Sequence, residues 1–194
     1  MARPREFDID EALNAAMGAF WEGGYGATSM ADLMEAMDLQ KGSIYKAFGD
    51  KHNLFMQALD RYLNAGYEKI DQALRGAESP TEGVRKWLCF IMGVCCEQET
   101  RRGCFAINAI NELGSHDEVA TERLQKHFDA IERLLASVIE QGQKQGEFRN
   151  DMSAHELSEF FNVYVAGMLT RSKGPNSKAR MRRLCDFATQ VLIP

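Results

Sequence analysis

The chain has 194 residues, of which 45% are hydrophobic and 26% are charged. This length predicts one or two domains, and this composition excludes a disordered chain. The formal net charge of −5 excludes an even basic coat over the whole surface. No apolar run of about 18 residues and no segment of signal-peptide type occurs, so we expect a cytoplasmic protein that has no membrane partner.

Residue usage favours an all-α fold. Four prolines leave long uninterrupted stretches, and valine, isoleucine and threonine together number only 22, which is a poor supply for a large sheet. The five cysteines are odd in number and contain no C-x-x-C pair. We therefore expect reduced thiols, with no disulfide framework, no structural metal site and no cofactor.

Apolar spacing predicts four helices in the first third of the chain. The first covers about 8–21 and ends at a glycine-rich exit, and the second begins at Thr28 or Ser29, because Ser29 and Asp32 have the spacing of a capping box. A turn at 38–40 leads to a short third helix over 41–47. In that helix Ile44 and Phe48 are expected to point inward. The fourth helix is expected over 51–73, with Asp50 as its N-cap.

After Pro80 the pattern predicts one apolar helix, a break at 101–103, a short helix from Cys104 and a long amphipathic helix over 117–141, with Gly142 and Gly146 leading into a loop. Helices over 153–171 and from Ser177 carry wider apolar arcs than one core contact requires. We expect these last two helices to pair with their symmetry mates as a four-helix seam of a homodimer. The alternative is that both faces pack within one chain.

Two short helices joined by a three-residue turn are typical of a helix-turn-helix. The unit is TSMADLMEAM-DLQ-KGSIYKAF, and its third-helix segment carries small or polar outward residues that fit a major groove. The segment up to residue 55 is acidic overall, but three of its five basic residues cluster at this surface. The candidate DNA-binding residues are Thr28, Ser29, Gln40, Lys41, Gly42, Ser43, Tyr45, Lys46 and Lys51. Arg3 and Arg5 form an N-terminal arm that can add backbone or minor-groove contacts.

The string ALNAAMGAFWEGGYGATSMADLMEAMDLQKGSIYKAFGDKHNLF resembles the TetR family of bacterial transcriptional repressors. The resemblance implies a three-helix helix-turn-helix domain over 1–52 and a helical ligand-binding and dimerisation domain over 53–194. It also implies a homodimer that binds a palindromic double-stranded operator and is released by a small-molecule inducer. Asp38 stands where the turn commonly carries glycine, and Asp tolerates the left-handed conformation better than most residues. Gln40 replaces a common serine, so the operator sequence does not follow by analogy.

An inducer cavity is expected among the middle helices. The candidate lining residues are Trp87, Phe90, Ile91, Val94, Phe105, Asn108, Asn111, Phe128, Ile131, Phe161, Tyr164 and Met168. Asn108 and Asn111 are polar residues in an apolar segment and can orient a ligand. The alternative is that the aromatic residues at helical spacing are plain core.

Cys104 is a second sensor candidate, because it follows Arg101, Arg102 and Gly103 at a predicted helix N-terminus. Positive charge and the helix dipole favour its thiolate, which predicts a lowered pKa, with Cys95 or Cys96 as the resolving thiol. The segment GCFAINAINELGSHDEVA loosely resembles a TetR subgroup that includes electrophile- and copper-responsive repressors. Cys104 as a core residue, and a soft-metal site from Cys89, Cys95, Cys96 and His116, are the alternatives.

Two other functions are alternatives to a ligand-responsive repressor. One is a helical enzyme, which the sequence does not favour because it contains no G-x-S-x-G, P-loop, dinucleotide-binding or H-E-x-x-H motif. Its four histidines are dispersed along the chain, and the sequence offers them no evident acid-base partner. The other is a helical adaptor with a vestigial DNA-recognition unit.

Overall fold

The computed structural model describes residues 7–96, 102–175 and 177–194, and within them the fold is all-α, as predicted. Arg3, Arg5 and Arg101 lie outside these ranges. The described helices are α1 (Ile9–Gly23), α2 (Met30–Met37), α3 (Lys41–Phe48), α4 (Lys51–Arg75), α5 (Pro80–Cys95), α6 (Phe105–Leu113), α7 (Glu118–Gln145), α8 (Ala154–Arg171) and α9 (Lys178–Leu192). None of these helices combines the length and the apolar character that crossing a bilayer requires.

Side-chain caps define the helix starts. Asp8, Ser29, Asp50 and Ser177 each accept a hydrogen bond from a backbone N–H in the first turn of the following helix. Thr28 is not the start of α2. It precedes the N-cap Ser29, and its side chain is turned into the protein.

The long helix α7 continues past its predicted end at residue 141. Gly142 is buried inside this helix, and a Cβ added there would lie 2.2 Å from the ring of Phe148. This glycine is therefore needed for a close approach and does not end the helix. The helix stops at Gly146, whose φ of 75° is left-handed and whose N–H donates to the carbonyl oxygens of Gln143 and Gly142.

Two apolar cores are stacked along the molecule, and α4 runs through both. The first core joins α1, α2, α3 and the first half of α4 to α6 and the start of α7, and the second joins the rest of α4 and α7 to α5, α8 and α9. Helix α6 thus packs on the N-terminal three-helix unit. The N-terminal unit therefore shares its apolar core with helices from later in the sequence.

The last two helices leave an apolar face uncovered in the single chain. Its large side chains include Phe160 (42% exposed), Val163 (72%) and Phe187 (59%). With Tyr164, Gly167, Leu184 and Val191 they define the α8/α9 face, at spacings of three, four and seven residues. The alternative that both helices bury all their apolar surface within one chain is wrong.

Candidate nucleic-acid interface and ligand cavity

The turn between α2 and α3 has the geometry of a helix-turn-helix. Asp38 adopts φ 50° and ψ 44°, and its N–H donates to the carbonyl oxygens of Glu35 and Met34. The predicted left-handed Asp38 is confirmed. Gln40 is the exposed N-cap of α3 and makes no side-chain capping bond, so its amide is available for other contacts.

Helix α3 is held by two apolar side chains, which fixes the face that it presents outward. Ile44 and Phe48 are 1% and 3% exposed. The opposite face carries Lys41, Tyr45 and Lys46, all exposed, and the Lys41 ammonium lies 5.7 Å from the centre of the Tyr45 ring. The structure therefore gathers two cations and a phenol on one short helix.

Small residues beside these side chains leave the surface open. Gly42 is exposed, and a Cβ added there would meet nothing within 4 Å, so no internal contact explains this glycine. Ser43 is half-buried. Lys51, at the first position of α4, places its ammonium 4.6 Å from the centre of the Tyr25 ring.

At the start of α2, Ser29 and Thr28 have different roles. Ser29 is exposed and forms a capping box with Asp32, because each side chain accepts from the other residue's N–H, at 3.2 and 2.7 Å. Thr28 is 4% exposed, and its hydroxyl donates to the Gly24 carbonyl oxygen at 2.6 Å. The Thr28 hydroxyl is therefore bonded within the α1–α2 loop, and a contact between Thr28 and DNA stays a prediction.

Helix α6 fastens the N-terminal unit to the rest of the chain through polar contacts that the sequence did not reveal. The Glu112 carboxylate accepts from the backbone N–H groups of Tyr25 and Gly26 at 2.9 and 2.6 Å. The Trp21 indole N–H donates to the Gly103 carbonyl oxygen at 3.2 Å. These pairs are separated by more than 80 residues, so no local pattern could indicate them.

His52 has a carboxylate partner that was not evident from the sequence. Its Nε2 lies 2.7 Å from Asp117 Oδ2, and Asp117 is also the N-cap of α7. The backbone N–H of Ala120, and secondarily the hydrogen bond from His52, hold the pKa of Asp117 below its usual value.

A lowered carboxyl pKa predicts acid-sensitive stability. The contribution of Asp117 is present above the unfolded-state pKa of the carboxyl and is lost as pH falls through the folded-state pKa. Asp117→Ala should lower the free energy of unfolding by roughly 1 kcal/mol at pH 7, and the deficit should shrink towards pH 3. Urea denaturation of both proteins across that range measures it. The variant Glu68→Gln removes an exposed carboxylate of α4 as the control. An Asp117→Ala deficit that is constant with pH would contradict the assignment.

A cavity of about 600 Å³ lies among α4, α5, α6, α7 and α8. Seven of the twelve predicted residues line it, namely Trp87, Phe90, Ile91, Val94, Asn111, Phe128 and Ile131. Sequence reasoning missed further lining residues, including Tyr62, Gln125, His127 and Asn162. The sequence pattern of a helix identifies only its most apolar face, so it did not indicate these residues.

Five predicted lining residues lie elsewhere. Phe105 packs among aromatic rings, and Phe161 lies behind Trp87, with ring centres 6.1 Å apart. The Asn108 amide donates to the Arg102 carbonyl oxygen and lines a separate cleft. The Tyr164 hydroxyl donates to the Leu184 carbonyl oxygen at 2.9 Å, and Met168 is buried in the core. Their predicted contact with an inducer is not supported by this geometry.

Cys104 lines the cavity at the N-cap of α6, where the Tyr62 hydroxyl donates to its Sγ at 3.4 Å. Burial raises the pKa of the Cys104 thiol, so the expectation of a lowered pKa is wrong. Burial likewise raises the pKa of Cys95 to about 12. The role of Cys104 as a redox sensor stays a prediction.

The soft-metal alternative is not supported. Cys89 is exposed while Cys95 is buried. Among residues 7–96, 102–175 and 177–194, no group of three or more His, Cys, Asp or Glu side chains is arranged to hold a metal ion.

The protein combines an N-terminal helix-turn-helix with a helical half that contains an apolar cavity, and α6 joins the two. This combination is that of a one-component transcriptional regulator, in which one chain both binds DNA and holds a ligand. Residues 12–58 match the family model described as bacterial regulatory proteins, tetR family, and residues 80–188 match the tetracyclin repressor-like C-terminal domain. The chain belongs to the TetR family of transcriptional regulators.

Individual relatives agree over the full length of the chain. The chain is 34% identical to the HTH-type transcriptional repressor ComR of Escherichia coli, over 98% of this chain and 90% of ComR. It is 31% identical to the uncharacterized regulator YezE of Bacillus subtilis, over 99% and 100%. A cysteine mutant of the TetR-family regulator CifR, solved with 26-bp operator DNA, superposes with a TM-score of 0.86 at 30% identity, over 98% and 100%.

Proposed function

We propose that this protein is a transcriptional repressor that binds a palindromic operator as a homodimer and is released when a small molecule enters the cavity. The outward face of α3 is the main support for this proposal. Ile44 and Phe48 are buried on the inner face of the helix, so Lys41, Tyr45 and Lys46 are exposed on the outer one. In this function the chain is not an enzyme. Residues 1–52 bind DNA, and residues 53–194 bind the ligand and the second subunit.

Some exposed groups of α3 position the helix on the DNA backbone, and others recognise base edges. The ammonium groups of Lys41 and Lys46 meet phosphates or guanine acceptors, and the Tyr45 hydroxyl donates to a phosphate. Gln40 and Ser43 can hydrogen-bond to base edges, and Gly42 lets the backbone approach closely. Ser29 and Lys51 lie at helix N-termini, where exposed N–H groups favour a phosphate. The CifR variant solved with 26-bp operator DNA is 30% identical to this chain and has the same fold, which supports operator binding by this protein.

Changing α3 tests the proposal. Against DNA from upstream of the protein's own gene, Lys46→Ala should weaken binding about tenfold. It should also reduce the slope of log affinity against log salt by about 1, because one fewer counterion is released. Tyr45→Phe should weaken binding less, through loss of one hydroxyl contact. Fluorescence anisotropy at four salt concentrations measures both effects.

The matched control is Lys69→Ala, which removes an exposed lysine from α4 far from α3 in the sequence. It should leave affinity and salt slope unchanged. If Lys46→Ala and Tyr45→Phe both bind the DNA as the parent does, with the same salt slope, the α3 face is not the docking surface. If the parent protein binds no upstream DNA at all, the adaptor hypothesis takes its place.

Release by ligand would proceed through α6. This helix contributes Ile107, Ile110 and Asn111 to the cavity, and the next residue, Glu112, binds the loop that leads into α2. A ligand that favours the non-binding dimer by about 3 kcal/mol would weaken operator affinity up to about a hundredfold. Attack of an electrophile on Cys104 is the second inducer hypothesis, and the raised thiol pKa counts against it.

A further inference from the structure

The wall that α8 contributes to the cavity is not covered by the rest of the described chain. Val163, Gly167 and Thr170 line the cavity, and all three are exposed. Their spacings of four and three residues place them on one stripe of α8. By contrast, Trp87 and Ile91 in the α5 wall are only 1% and 4% exposed. Because Val163 is 72% exposed, it cannot belong to a closed wall, and the cavity opens to the surface along this stripe.

This stripe is continuous with the α8/α9 face. Val163 and Gly167 belong to both, so the open side of the cavity adjoins the surface that we expect a second copy of the chain to cover. A Cβ added at Gly167 would meet nothing within 4 Å, so no contact inside the described chain requires a glycine here. Glycine weakens the middle of a helix but lets a helix of the second copy pack closely.

The walls that this chain supplies carry no formal charge. Among the described lining residues there is no Asp, Glu, Lys or Arg. Burial lowers the pKa of His127 to about 4 and raises those of Tyr62 and Cys104, so the three ionisable lining groups are neutral at pH 7. An ion placed here would lose its hydration without gaining a counter-charge from these walls, which selects uncharged molecules.

We propose that the ligand site is shared between two copies of this chain: the second copy closes the cavity along Val163, Gly167 and Thr170, and the closed site binds uncharged, apolar molecules. This inference rests on the homodimer of the proposed function and goes beyond it, because it makes ligand binding depend on dimerisation. By linkage, a molecule that binds the dimer better than the single chain also stabilises the dimer.

Two fluorescent probes with the same aromatic framework test the chemical class. They are N-phenyl-1-naphthylamine, which is uncharged, and its sulfonated derivative 8-anilino-1-naphthalenesulfonate. A cavity of about 600 Å³ has the size of an ordinary small-molecule site. In the parent protein the uncharged probe should bind at one site per chain, and the sulfonate roughly a hundredfold more weakly. Fluorescence titration of the full-length protein measures both affinities, and tighter binding of the sulfonate, or no binding of the uncharged probe, would contradict the class.

A second variant shows whether the probe occupies the cavity. Gly66 on α4 lines the cavity, and a Cβ added there would meet nothing within 4 Å. Gly66→Leu therefore places a side chain in the empty space and should abolish saturable binding of the uncharged probe while the protein remains dimeric. Unchanged probe affinity in Gly66→Leu would place the probe outside the cavity and contradict the proposal.

Phe187→Glu tests whether the site is shared. Phe187 lies on the α8/α9 face but does not line the cavity, so the variant opposes dimerisation and leaves the walls of the cavity unaltered. The monomer should bind the uncharged probe at least about tenfold more weakly, because one apolar wall is missing. Val119→Glu is the matched control and should keep the affinity of the parent. A monomer that binds the probe as tightly as the parent, or a variant that remains dimeric, contradicts the sharing.

The parent protein supplies a test that does not depend on the folding of any variant. Saturation with the uncharged probe should lower the dissociation constant of the dimer at least about tenfold, as measured by fluorescence-detected sedimentation. An unchanged dissociation constant would show that the site is complete in one chain. Anisotropy with upstream DNA, measured in parallel, separates this inference from the proposed function. Intact operator binding without linkage between probe and dimer contradicts only the shared site.

A shared site that binds the probe without any effect on the operator complex supports the inference and contradicts a role of the cavity in induction.

Discussion

Phe187→Glu is expected to convert the homodimer into monomers and to abolish tight operator binding. Phe187 is 59% exposed at the centre of the apolar spacing on α9, and we expect the dimer to bury this ring against the partner. A carboxylate at the same position would have to be desolvated on association. Because two linked recognition helices bind a palindrome far more tightly than one, operator affinity should fall roughly a hundredfold or more. Sedimentation equilibrium and anisotropy measure the two effects.

The chain offers a matched control for this variant. Val119 on α7 is 57% exposed but lies off the α8/α9 face. Val119→Glu therefore makes a similar change in polarity at a similar exposure and should leave both the dimer and operator affinity unaltered. A Phe187→Glu protein that remains dimeric at micromolar concentration would show that the α8/α9 face is not the dimer contact.

The helix-turn-helix was predictable because its determinants are local. Ile44 and Phe48 are four residues apart, so the burial of both follows from helical periodicity alone. Ser29 and Asp32 close a capping box across three residues, and Asp38 takes the left-handed turn that its short polar side chain tolerates. No knowledge of the rest of the chain is needed for any of these features.

Tertiary contacts decide the features that the sequence analysis missed. Phe105 has the spacing of a cavity residue but packs on Trp21 and Phe55, because α6 crosses the N-terminal unit. Cys104 lies at a helix N-terminus, which lowers a thiol pKa, yet the burial created by the packing of α4 against α6 outweighs that effect. Glu112 looks like an ordinary surface carboxylate until the fold brings the α1–α2 loop to it.

Helix α6 thus belongs to both halves of the molecule. One side of it contributes Ile107, Ile110 and Asn111 to the cavity wall, and the other buries Phe105 and Ala109 in the core shared with α1 and α4. Packed cores shift between discrete arrangements and deform little within one. If a ligand displaces α6, Glu112 and the aromatic contacts would therefore together transmit the displacement to the loop before α2.

Phe105→Ala should weaken the energetic coupling between the N-terminal unit and the C-terminal half. The Phe105 ring is 1% exposed and packs against Trp21, Phe55 and Tyr62, with ring centres 5.6–6.3 Å apart. Its removal leaves a cavity that rigid neighbours cannot fill, so we expect a loss of about 3–5 kcal/mol in the free energy of unfolding. Chemical denaturation followed by circular dichroism measures this loss.

The control for Phe105→Ala is Phe90→Ala, which deletes a half-buried ring from the cavity wall. Because that ring already borders empty space, its loss should cost about 1–2 kcal/mol. In Phe105→Ala the N-terminal unit should also melt before the C-terminal half, since the aromatic contact between them is gone. Equal losses in the two variants, with a single shared transition, would mean that α6 does not join the cores through this ring.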